Sequence, residues 1–177
     1  MRSRTWILII IAVIILGALA FWLWPHPVLT PGAAHSYQDA TYLVEGVPVT
    51  LKDGMAVASS TPSSSLMEKT SILADASAAG DLDGDKKADE AFVLSRDGGG
   101  SGTFYYLAAA LAVPGGYQGT NAVFLGDRIA IQSVEVEDEQ ASVTYLDHAS
   151  GSPMASAPTL SVTKRFEISN GMLVEME

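Results

Sequence analysis

Apolar positions are distributed along this chain in three ways. From Trp6 to Trp24 they are continuous: WILIIIAVIILGALAFWLW holds nineteen residues without a charge, a polar side chain or a proline. From Thr41 onward they come in short runs broken by turn-forming residues. Phe104 to Val113, FYYLAAALAV, is ten nearly continuous apolar residues inside that second regime. The first run predicts a helix. At about 1.5 Å per residue it would span roughly 28 Å, close to the hydrocarbon thickness of a bilayer. Unpaired amides are costly in lipid, so such a run satisfies its backbone as a helix. Trp6 at one end and Trp22 and Trp24 at the other suit the two interfaces. Arg2 and Arg4 precede the run, which predicts residues 1–5 in the cytoplasm and everything after it outside. The alternative is a cleaved signal peptide, because Ala18-Leu19-Ala20 fits a cleavage pattern. The continuation through Phe21 to Trp24 favours a retained single-pass anchor at the cytoplasmic membrane. A cleaved chain would start on a large apolar surface.

Pro25, Pro27 and Pro31 predict an extended spacer over 25–40. The domain is then expected over 41–177. TYLVEG and VPVTL read as strands, Lys52-Asp53-Gly54 as a hairpin reversal, and MAVA as its return. SSTPSSS, 59–65, is a polar loop, and Ser65 to Thr70 has room for one helical turn. FYYLAAALAV is too short to span a bilayer as a helix. Its leading aromatics and glycine-rich flanks predict a strand buried on both faces. Pro114-Gly115-Gly116 turns the chain, and Ala122 to Leu125 is a further run ended by Gly126-Asp127. Ile129 to Glu137 alternates, with Val134 and Val136 on one side and Glu135 and Glu137 on the other. Asp138-Glu139 reverses the chain, and Ala141 to Leu146 returns. After the loop 147–158, Leu160 to Ile168 and Met172 to Met176 flank Asn170-Gly171, a type I′ hairpin signal. The pattern predicts an all-β domain of about nine short antiparallel strands, a meander or partly closed barrel, with an α+β variant as the rival.

Charge narrows the partners. Eight basic and twenty acidic side chains follow Trp24, a balance of −12. Such a surface repels phosphate backbones, which argues against nucleic acid. There is no cysteine, so disulfides, thiolate metal sites and a cysteine nucleophile are excluded.

One stretch suggests specific chemistry. In GDLDGDKKAD, Asp81, Asp83, Asp85 and Asp89 occupy the first, third, fifth and ninth positions of a loop, and Lys87 at the seventh would offer its backbone carbonyl. A hard cation such as Ca²⁺ takes six to eight oxygens at about 2.3–2.6 Å, and alternate carboxylates converge if the backbone curls around it. Two departures weaken the pattern. Lys86 stands where a sharp turn favours glycine, at a cost on the order of 1 kcal/mol. Phe92 stands where an EF-hand closes with a bidentate glutamate. The competing reading is a polar turn held by aspartate side chains on nearby amides.

GDLDGDKKAD resembles the GDxxGDGxxD turn of FG-GAP-type repeats, and the resemblance implies calcium binding. A wider likeness covers GDLDGD, DGGGSGTFYYLAAAL, FLGDR and SPMASAPTLSVTKRFEI. These motifs resemble a group of uncharacterised bacterial extracytoplasmic proteins, in which an N-terminal anchor precedes a small β domain. That likeness implies an envelope location and no particular activity.

The remaining candidates are weak. Ser161-Val162-Thr163-Lys164 matches S-x-x-K, but that chemistry needs a helix and the run reads as a strand. Gly98 to Gly102 lacks the strand-loop-helix setting of a phosphate loop. His26 and His35 have no metal-ligand pattern, and His148 is expected to be solvated. The expected function is a non-enzymatic, membrane-tethered binding or structural module. The alternatives are a calcium-stabilised β domain, and a hydrolase using Asp81 to Asp89 with Asp127 and Arg128.

Overall fold

The β-branched and aromatic runs do become strands. The computed structural model describes residues 33–59 and 67–177, within the unit Pro31–Glu177. Among the described residues there are twelve strands: β1 Thr41–Val44, β2 Val47–Thr50, β3 Met55–Ser59, β4 Met67–Gly80, β5 Asp89–Asp97, β6 Thr103–Val113, β7 Gly116–Gly119, β8 Asn121–Asp127, β9 Ala130–Glu137, β10 Gln140–Asp147, β11 Leu160–Ser169 and β12 Met172–Glu175. The all-β class is as expected. Its membrane component is corrected. Among the described residues no helix is long and apolar enough to cross a membrane. Their one helical piece is a three-residue 3-10 turn, Tyr37–Asp39, roughly 6 Å long against a hydrocarbon core of about 30 Å. The helix expected over 6–24 lies outside the described residues, as do 25–32 and 60–66. The single-pass anchor, and the inside–outside localisation derived from it, are therefore without structural support.

The strands form two layers. The larger sheet runs β2-β1-β8-β6-β5-β4-β3, with β7 also paired to β6; the smaller runs β12-β11-β10-β9. The ladders are antiparallel except β1–β8, which is parallel through Leu43↔Asn121 and Val44↔Ala122. β2 and β3 stand at opposite ends of the larger sheet, yet a tight turn joins them. Lys52 N donates to Met55 O at 2.8 Å there, while Asp53 and Gly54 take φ of 50° and 78°. The sheet must curl to bring its two ends together at that turn. Twelve strands in two sheets with one parallel pair replace the roughly nine antiparallel strands expected, because β4 and β7 add to the count and β1 pairs with distant β8.

Curling gives β5 and β6 two buried faces. Ala91, Val93, Leu107 and Ala109 face the smaller sheet and meet Val143, Tyr145 and Phe166. Phe92, Leu94, Tyr106 and Ala108 face the inside of the curl and meet Tyr42, Val44 and Leu51. The double burial expected of FYYLAAALAV holds from Tyr106 to Leu111. Each large side chain hidden this way contributes on the order of 1.5–3 kcal/mol.

The helical turn expected over Ser65 to Thr70 is not formed: β4 runs through Met67–Gly80 between β3 and β5. Partners on both sides override its weak strand propensity. A bulge shifts its register between Ile72 and Ser77, with Asp75 at φ 60°. That shift erases the two-residue period by which a strand is recognised.

Candidate metal centre in the aspartate loop

The loop after β4 is entered by Gly80 and left by Asp89 at the start of β5. Gly80 serves packing. A Cβ there would lie 2.4 Å from Val136 Cγ1, so β4 passes closely against β9. Within the loop the aspartates hold the backbone. Asp81 accepts from Gly84 N at 2.8 Å and Lys86 N at 2.9 Å. Asp83 accepts from Asp85 N at 3.1 Å, and Asp85 from Lys87 N at 2.8 Å. Gly84 and Lys86 take φ of 79° and 68°, so the strain anticipated at Lys86 is present.

One carboxylate oxygen from each of Asp81, Asp83 and Asp89 falls within 4.8 Å of the others. These three could hold a metal ion. Asp85 is not among them. Its carboxylate pairs with the Lys87 ammonium, which holds Asp85 below the usual carboxylate range and raises Lys87. Lys87 thus enters the loop through its side-chain charge, and its ammonium also reaches Ala112 O at 3.5 Å.

Asp89 is the anchor. It is fully buried, and its two oxygens accept from Leu82 N at 2.8 Å and Ala112 N at 2.7 Å. It therefore ties the loop to β6. Burial pushes its carboxyl upward, the two amides oppose that, and the charges of Asp83 and Asp85 add to it. A cation beside it would reverse the balance.

A neighbouring group comes from the other sheet. The Glu139 carboxylate faces the loop: a Cβ added on Gly84 would meet its Oε1 at 3.4 Å, an ordinary van der Waals contact. Asp83, Asp138, Glu139 and Glu167 line a notch of ≈ 180 Å³ there. Asp138 and Glu139 form a left-handed turn without glycine, at φ of 50° and 60°. In sequence that turn reads as a simple reversal. Its separation from the loop along the chain left no signal of the approach.

The other candidates are scattered. Asp127 accepts from Thr103 N at 3.1 Å and from Arg128 Nη2 at 2.9 Å. It sits opposite Phe104 at the far end of β6 from Ala112, so it does not join the aspartate loop. Ser161 and Lys164 are three apart in β11, and Lys164 pairs with Glu175 at 2.9 Å. Gly98 to Gly102 is the β5–β6 reversal. His148 departs from the solvated expectation: its Nε2 lies 3.3 Å from Arg128 O, and Nδ1 is buried without a partner. His35 is exposed, and His26 lies outside the described residues.

Comparison with family models, curated proteins and solved structures finds no match.

Proposed function

We propose that this chain is a non-enzymatic binding or structural module whose aspartate loop takes a calcium ion that stiffens the β4–β5 connection. The observation that carries the reading is the convergence of Asp81, Asp83 and Asp89 within 4.8 Å. The three oxygens lie close enough to share one ion, and calcium, with its flexible shell of six to eight oxygens, accepts an irregular set more readily than magnesium, which demands near-ideal octahedral geometry. All three donors are carboxylate oxygens, which disfavours soft metals. Backbone carbonyls and water would complete the shell. The non-enzymatic part is supported by the commitments of the reactive-looking groups: Asp127 is occupied by Arg128 and a backbone amide, and Lys164 by Glu175.

The test is a thermal melt of the full chain with chelator and with millimolar calcium. A weak site filled at 10 to 100 times its dissociation constant adds about 1.4–2.7 kcal/mol. For a chain of this size that raises Tm by roughly 3–10 °C. An Asp83→Asn variant should lose most of the rise. An unchanged wild-type Tm at millimolar calcium would sink the proposal.

A further inference from the structure

The curled sheet is closed at one end and open at the other. Near the aspartate loop, the Tyr37 ring lies 5.4 Å from Phe92 and 6.1 Å from Tyr117, covering the interior. At the other end the inward row of β5 finishes at Arg96, two residues beyond buried Leu94, and that of β6 begins at Phe104, two before buried Tyr106. Between them is a cavity of ≈ 200 Å³ lined by Glu45, Glu68, Arg96, Gly98, Phe104 and Tyr106. Phe104 is 40% exposed, and Phe124 beside it is 50% exposed. Their rings lie 6.4 Å apart, and Phe124 meets Tyr106 edge-on at 5.5 Å.

The charges at this mouth are already assigned. Arg96 gives Nε and Nη2 to Glu68, at 2.5 and 2.9 Å, and Nη1 to Glu45. Tyr106 donates its hydroxyl to Glu45 at 2.9 Å. Two carboxylates around one guanidinium leave a local charge of −1. Glu45 is the water-facing one, its side chain 60% exposed against 21% for Glu68.

We infer that this barrel mouth is a docking site for a basic side chain, an arginine or lysine of a partner polypeptide, seated between the Glu45 carboxylate and the rings of Phe104 and Phe124. Size and charge select this occupant. The cavity is smaller than the roughly 300–1,000 Å³ of sites that enclose whole small molecules, and suits one long side chain. An anion would meet an Arg96 already paired and a domain of balance −12. A guanidinium instead finds an exposed carboxylate, Glu45, whose oxygens accept from Tyr106 and Arg96 and keep further lone pairs toward water, beside aromatic faces, the pairing for which arginine is best shaped. The site is independent of the calcium reading. Asp89 and Arg96 lie seven steps apart along β5, roughly 23 Å of strand.

The probe is a fluorescein-labelled peptide of alternating arginine and glycine, titrated into the full chain and followed by anisotropy. An ionic strength near 0.1 M screens charges beyond about 10 Å. Phe104→Ala/Phe124→Ala removes the rings without altering charge, and Glu45→Gln removes the carboxylate. Glu135→Gln/Glu137→Gln removes like charges from β9 as the control. Each mouth variant should weaken binding at least about threefold, with the control within twofold of wild type. The inference is overturned by any of four results: no binding, equal loss in the control, wild-type affinity in both mouth variants, or equal binding of a glutamate–glycine peptide. Self-association of the chain that the ring variant abolishes would also overturn it, by making a second copy the occupant. If the ring variant fails to fold by circular dichroism, Glu45→Gln, on an exposed turn, decides the matter.

Discussion

Replacing Asp89 with alanine removes the one buried carboxylate that ties the aspartate loop to the sheet. Two hydrogen bonds go with it, from Leu82 N at 2.8 Å and Ala112 N at 2.7 Å. Bonds to a charged acceptor contribute about 1.5–3 kcal/mol each, and a stranded buried donor costs about 1–3 kcal/mol. The carboxylate's own burial offsets part of this, because it disfavours the charged form. A net loss of about 3 kcal/mol follows, or roughly 6–12 °C in Tm for a chain of this size. The measurement is calorimetry in chelator, so that no cation contributes, repeated with calcium, where the variant should show no rise. Asp89→Asn should recover only part of the loss, since its amide group turns a donor toward one of the two N–H groups. The pH dependence has a definite sign. The carboxyl is raised in the folded state, so the folded chain takes up this proton before the unfolded one does. As pH falls through the window just above the ordinary aspartate value, this group's contribution to stability rises, and the alanine variant lacks that rise. A Tm drop below about 2 °C in chelator, under 1 kcal/mol, would refute the anchoring argument.

Two further outcomes test other parts of the structure. Gly119→Ala should destabilise by at least about 1–3 kcal/mol in urea unfolding, because its Cβ would lie 2.2 Å from Thr41 O and 2.8 Å from the Tyr42 ring. Gly98→Ala, with nothing within 4 Å of its Cβ, should stay within about 0.5 kcal/mol. The Glu45 carboxyl, held down first by the Tyr106 hydroxyl and then by Arg96, should titrate below the ordinary glutamate range in a carbon-detected NMR series. Tyr106→Phe should move it upward. Its stabilising contribution is present above the unfolded value and disappears as pH falls through the lowered folded one.

Local chemistry was legible wherever one residue type decides the conformation. Asn170-Gly171 take left-handed φ at both turn positions, as the β11–β12 hairpin requires. Asp53-Gly54 take them too, but the strands they join pair elsewhere, so the hairpin expected there is only a tight turn. The alternation of Val134 and Val136 with Glu135 and Glu137 maps onto half-buried and exposed faces of β9. Three of the four aspartates converge, but Asp85 does not. A carboxylate two residues from a lysine has a nearer partner than a shared site, and spacing alone did not resolve that competition. β4 was missed because its bulge at Asp75 breaks the period. Closure of the larger sheet and the approach of Glu139 to Gly84 depend on contacts between distant segments, which no local pattern carries.

The two polar ends of β5 have a consequence for its register. Ala91 to Leu94 are all apolar and all fully buried, alternating between two cores. A strand that is apolar on both faces specifies its pairing weakly, because a one-residue slip still buries hydrophobic groups. Such a slip would put Phe92 and Leu94 where Ala91 and Val93 belong. It would also draw Asp89 off the amides of Leu82 and Ala112, and Arg96 off Glu68. The ends therefore hold the register that the middle leaves ambiguous. Asp89→Ala combined with Arg96→Met removes both constraints while leaving the apolar middle intact. The double variant should show doubled amide resonances along β5 and β6 that neither single variant shows. A single set of resonances, together with additive stability losses, would mean that side-chain volume alone fixes the pairing.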